Sequence, residues 1–169
     1  MRTTDVLADG FGRVHGVVHQ VLEGIDAQQL TYRLDPRANT IAWLVWHLTR
    51  IQDDHVADAA DLRQVWTAQG WYDRFGLPFG PEATGYGQDA YDVAAVWVDS
   101  GDLLLGYFDA VHAQTTGFVG GLTDEDLDRV VDTRWDPPVT LGVRLVSVVS
   151  DDLQHAGQAA FIRGVTERR

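Results

Sequence analysis

A chain of 169 residues, 45% hydrophobic and with a mean hydropathy of −0.15, has room for one globular core and no uninterrupted apolar run that would cross a bilayer. Its 25 acidic residues against 13 cationic ones leave a net charge of −12. The cations are all Arg and scattered, which removes the basic stripe that nucleic acid or an anionic membrane requires. There is no Cys, so disulfides, thiolate ligands and cysteine nucleophiles are excluded together, and a reactive thiol would have to arrive with a substrate.

A single domain over residues 1–169 is expected. The opening Met1-Arg2-Thr3-Thr4-Asp5 lacks the apolar centre of a signal peptide, which points to the cytoplasm. The first predicted helix runs from about Thr4 to Gly24, where Leu7, Phe11, Val14, Val18, Leu22 and Ile25 recur at spacings of three and four. Asp35-Pro36 breaks the chain. Asn39 or Thr40 then caps a second helix, Ile41 to Ala60, with a stripe of Trp43, Leu44, His47, Leu48 and Ile51. Between residues 61 and 88 glycines alternate with aromatics, and the pattern predicts a short helix over Leu62 to Gln69 followed by a packed loop. A third long helix is expected from Asp89 to Gly117. Thr123 looks like the cap of one acidic turn, Pro137-Pro138 stops the chain, and Thr140 caps a fourth helix that runs to about Thr166. No alternating stretch is long enough to argue a sheet, so the elements read as an all-α four-helix bundle. Such a core often carries metal sites built from facing side chains.

The last helix holds an acid and a histidine four residues apart, Asp151 and His155, on one helix face. At about 100° per residue, Leu141, Val148, Ala159 and Ile162 fall close to the same direction. A polar pair in an apolar stripe costs several kcal/mol unless something satisfies it, and a divalent ion would satisfy both. His47 interrupts the stripe of the second helix in the same way, giving a His, Asp, His set with positions left open for water or substrate. Taken alone, His47 reads more simply as a hydrogen-bonded core histidine, and Asp151 with His155 as a plain ion pair. Asp152, three residues before His155, competes with Asp151 and otherwise reads as a supporting or solvent residue. Arg144 offers a cation for a substrate carboxylate, Trp43 and Asp54 complete the candidate substrate-binding residues, and Asp54 is nearly in line with His47. His15 and His19 form a second i, i+4 pair at the edge of their stripe with no third ligand nearby in sequence, and are expected to be surface histidines. His112 has no distinguishing context.

The segments Asn39-Thr40-Ile41-Ala42-Trp43-Leu44-Val45-Trp46-His47-Leu48-Thr49-Arg50 and Pro138-Val139-Thr140-Leu141-Gly142-Val143-Arg144-Leu145, with Asp151 to Gly164, resemble the DinB-like superfamily. The resemblance is nearest its actinobacterial branch of mycothiol-dependent maleylpyruvate isomerase N-terminal domains and mycothiol S-transferases. It implies an up-down-down-up bundle with a long crossover between the second and third helices. It also implies a Zn or Ni ion held by one His on the second helix and a His or Glu plus a His on the fourth. His47 and His155 match the first and last of these, and Asp151 stands where the family has Glu or His.

The function so implied is a metal-dependent thiol S-transferase. A low-molecular-weight thiol, mycothiol by preference, would be activated as a metal-bound thiolate against a small electrophile. The absence of Lys and the single Asn39 indicate a GC-rich genome, of which an actinobacterial one is an example. The isomerases carry a further C-terminal domain that this chain lacks, which favours the transferase reading. A non-enzymatic metal- or ligand-binding stress-response protein and a metal-dependent hydrolase are the alternatives. Expected partners are the thiol and the electrophile, with a homodimer open and neither nucleic acid nor membrane.

Overall fold

The computed structural model describes residues 2–168. In chain order the helices are α1 (Thr3–Leu22), α2 (Ala27–Thr31), α3 (Ile41–Ala60), α4 (Val65–Ala68), α5 (Trp71–Phe75), α6 (Ala90–Ala95) and α7 (Gly101–Gly120). A 3-10 turn follows at Glu125–Asp128, then a two-stranded antiparallel ribbon, β1 (Val130–Asp132) and β2 (Val139–Thr140), and α8 (Leu141–Thr166). The four long helices α1, α3, α7 and α8 form the bundle. Among the described residues, no helix is long and apolar enough to cross a membrane.

Local chemistry sets the ends that matter for the site. Thr40 accepts a hydrogen bond from the Trp43 amide at 3.0 Å and starts α3; Thr140 accepts one from Val143 at 3.4 Å and starts α8. Each satisfies one of the amides that a helix start leaves unpaired. The stripes then bury: Phe11, Val14 and Val18 from α1, Leu44 and Leu48 from α3, and Leu141, Val148, Ala159 and Ile162 from α8.

Contacts fix the helix directions. Gly10 lies against Val149, and Arg163 donates to the Glu23 carbonyl, so α1 and α8 run parallel. Leu22 meets Gly101 while His15 packs on His112, so α1 and α7 are antiparallel. His47 meets His155, and Val56 and Ala59 cluster with Leu141 and Leu145, so α3 and α8 are antiparallel. The order is therefore up-down-down-up. The α1–α7 and α3–α8 seams lie on opposite sides of the bundle, and α3 and α7 are parallel neighbours that need a crossover.

That crossover is more structured than the sequence pattern indicates. The helix expected over Leu62 to Gln69 shortens to α4, and α5 forms inside the segment read as loop. The crossover is held to α3 by two fully buried side chains. Asp53 accepts from the Val65 and Trp66 amides at 2.8 Å each and from the Tyr107 hydroxyl at 2.8 Å. Arg50 donates to the Ala83 carbonyl at 3.0 Å, the Pro81 carbonyl at 3.3 Å and Gln64 Oε1 at 3.0 Å.

Two expectations are corrected. The third long helix is not continuous: α6 ends at Ala95, Val96 turns out of the helical region, and Ser100 caps a fresh start by accepting from the Asp102 amide at 3.0 Å. Trp97, four residues after the buried Val93, is 54% exposed as a result. A short ribbon, β1–β2, also exists before α8. Arg144 and Arg134 both donate to the Asp132 carboxylate of β1, each with a contact at 2.9 Å, which holds its carboxyl well below the usual range.

Candidate metal centre

α3 and α8 bring His47, Asp151 and His155 together. Each offers one donor atom, and these atoms all lie within 4.8 Å of one another. The two imidazoles meet edge to face, ring centres 4.6 Å apart. His47 is almost fully buried, stacked on Trp43 at 4.5 Å and 15°.

Hydrogen bonds choose the tautomers. A carbonyl oxygen can only accept, so His47 Nδ1 donates to the Thr84 carbonyl, and His155 Nδ1 donates to the Asp151 carbonyl at 2.9 Å. The proton of each neutral ring is thereby committed to Nδ1, and Nε2 keeps its lone pair. Metal-bound histidines use this same outer hydrogen bond to a carbonyl to fix tautomer and orientation. Asp151 Oδ2 is buried without a hydrogen-bond partner among the described residues, although it lies 3.3 Å from His155 Nδ1. Two imidazoles and an under-satisfied carboxylate oxygen suit Zn2+ or Ni2+, with bonds of about 2.0–2.2 Å for Zn, and leave coordination positions open. Asp151, although one carbon shorter than Glu, still reaches the cluster.

The two rings differ in their electrostatics. Burial pushes the His47 imidazole down and outweighs the Thr84 carbonyl, so the ring is neutral and able to ligate. At Asp151 burial pushes the carboxyl up, but His155, His47 and His55 together hold it below the usual range. Burial lowers His155, but the Asp151 carboxylate and carbonyl more than reverse this, so its charged form is favoured and an ion binding there would displace a proton. Asp152 turns inward: it is fully buried, neither oxygen has a partner among the described residues, and burial plus the Asp151 charge push its carboxyl well up. It is not the solvent residue that the sequence allowed.

The three residues line a cleft of ≈340 Å³ with Asn39, Trp43 and the 85–88 segment of the crossover. Gly85 explains part of its shape. Its φ is +95°, and an added Cβ would sit 2.7 Å from His47 Nδ1 and 3.1 Å from the Trp43 ring. Gly85→Ala is therefore expected to push the imidazole off its Thr84 bond and weaken Zn2+ binding by about 10–100-fold, the usual effect of losing an outer partner. Titration calorimetry would show it.

Trp43 donates from Nε1 to Gln88 Oε1 at 2.7 Å and forms one wall. Asp54 and Arg144 are placed elsewhere, in a neighbouring polar cleft with His55, Asp58, Gln64 and Arg134. There Asp54 accepts from Gln64 Nε2 at 2.7 Å, and Arg144 is bound to Asp132. The sequence reading did not single out Thr84, Gly85 or Gln88. A glycine beside an aromatic in a Gly-rich stretch was the available signal, and it does not say which helix the loop covers.

Comparison with known proteins identifies the family and the fold. The DinB superfamily matches residues 11–159, and the chain belongs to that family, whose members often bind metal. Among solved structures, a conserved protein from Enterococcus faecalis is similar throughout: 28% identity, TM-score 0.92, covering 100% of this chain and 99% of that one. No functionally curated protein matched.

Proposed function

We propose that the protein is a divalent-metal-dependent transferase that joins a low-molecular-weight thiol, mycothiol by preference, to small electrophiles. The observation that carries this is the pair of histidines whose Nδ1 protons are both committed to backbone carbonyls beside an under-satisfied carboxylate, in an open cleft. His47, Asp151 and His155 would hold the ion. A bound divalent ion supplies the positive charge that keeps a thiol ionised at neutral pH. The chain has no Cys, so the sulfur must come from a cosubstrate.

The surroundings support two substrates. The cleft at His47, Asp151 and His155 shares Asn39 with an apolar groove of ≈550 Å³ along α8, lined by Leu34, Leu44, Leu153, Phe161 and Ile162. A hydrophilic thiol suits the first and an apolar electrophile the second. Trp43 and Gly85 exclude water from one side of His47, and Tyr86 and Gln88 form the rim.

The test is a conjugation assay on metal-loaded protein with monochlorobimane as electrophile and mycothiol, bacillithiol or glutathione as thiol. A rate that needs both metal and thiol, highest with mycothiol, is expected. Bound metal with no thiol-dependent rate would overturn the transferase reading and leave a metal- or ligand-binding protein.

A further inference from the structure

We propose that the chain holds a second divalent-metal site, formed by His15 and His19 of α1 and Asp109 of α7, on the seam opposite the α3–α8 centre. The two sites share no residue, and this one does not rest on the transferase reading.

The sequence shows only an i, i+4 histidine pair at the edge of a stripe. The fold supplies the third donor from ninety residues away. Asp109 Oδ1 lies 2.7 Å from His19 Nε2 and 3.2 Å from His15 Nε2. All three donor atoms fall within 4.8 Å of one another. A single hydrogen bond accounts for His19 alone. It does not account for two ring nitrogens aimed at one carboxylate oxygen, with the rings themselves only 4.1 Å apart. Two nitrogen donors one helical turn apart, faced by a carboxylate on the neighbouring helix, are the arrangement that imidazole-preferring ions such as Zn2+, Ni2+ or Cu2+ take.

The surroundings hold the rings in place. His112 packs on His15 at 4.4 Å, and Phe108 lies 5.9 Å from His15 and 6.0 Å from His112. His112 Nδ1 is enclosed without a hydrogen-bond partner among the described residues, so the wall of the site is itself polar and under-satisfied. The donor side chains are 36%, 39% and 44% exposed, which leaves a solvent path for the ion and room for water to complete its shell. Because α1 and α7 run antiparallel, an ion here would staple the first long helix to the third.

The experiment is Zn2+ titration of tag-free protein by calorimetry, with melting temperature as a second readout. Wild type is expected to take up two ions per chain, and His15→Gln/His19→Gln one. Both substituted side chains are partly exposed, so this variant is expected to keep its helical circular dichroism and the ion at the α3–α8 centre. His47→Ala/His155→Ala is expected to keep one ion and a Zn2+-induced rise in melting temperature, both lost when His15→Gln/His19→Gln is added. If His15→Gln/His19→Gln binds as many ions as wild type, with unchanged affinity, the second site is refuted. A wild type that binds one ion, lost only with His47 and His155, refutes it equally while leaving the α3–α8 centre intact.

Discussion

His47→Ala is expected to weaken Zn2+ binding at the α3–α8 centre by at least about 100-fold, since loss of an outer partner alone costs about 10–100-fold. Among the described residues, His47 is the one member of the cluster that α3 supplies. The thiol-dependent rate should fall with the metal. Apo stability should change less, because the substitution removes one stack on Trp43 and one bond to Thr84, about 1–3 kcal/mol together. Calorimetry on wild type and variant, each with His15→Gln/His19→Gln as background, isolates this centre. Unchanged affinity there would remove His47 from the ligand set.

Asp53→Ala is expected to lower the melting temperature by roughly 6–20 °C. Removing one partner of a buried ion pair costs about 3–5 kcal/mol, and in a chain of this size each kcal/mol moves the midpoint by about 2–4 °C. Asp53 and Arg50 lie 3.6 Å apart with side chains 0% exposed, and Asp53 also satisfies the first two amides of α4 and the Tyr107 hydroxyl. The substitution strands all of these at once. Differential scanning calorimetry checks it; a shift under a few degrees would mean that water or Gln64 replaces the carboxylate.

Legibility along the chain followed the range of the interactions. Helices α3 and α8 were readable nearly to the residue, because a Thr cap and apolar residues at helical spacing are local signals. The break at residues 96–100 was not, because Val93, Val96 and Trp97 keep helical spacing straight through it and only the Ser100 cap marks the restart. The ribbon was too short to show alternation. Asp53 was hidden in the polar run Gln52-Asp53-Asp54, its meaning set by Val65, Trp66 and Tyr107. The grouping of His47, Asp151 and His155 was legible because each interrupts an apolar stripe, and the family resemblance joined the two stripes. His15 and His19 lack that signal, and Asp109 and His112 join them only across the α1–α7 seam.

The crossover between α3 and α7 divides the labour of the cleft. All three donors ride on two helices of the bundle, whereas Thr84, which holds His47, Gln88, which holds Trp43, and Gly85 and Tyr86, which line the cleft, belong to a separate connecting segment. Bundle and connection are thus two cassettes. Exchanging Tyr86 to Gln88 with those of a relative would redraw the mouth of the cleft while the donors stay on their helices, provided Gly85 and the Arg50 anchor to Ala83 are kept. Within such a scaffold, ligand preference is free to drift faster than metal affinity.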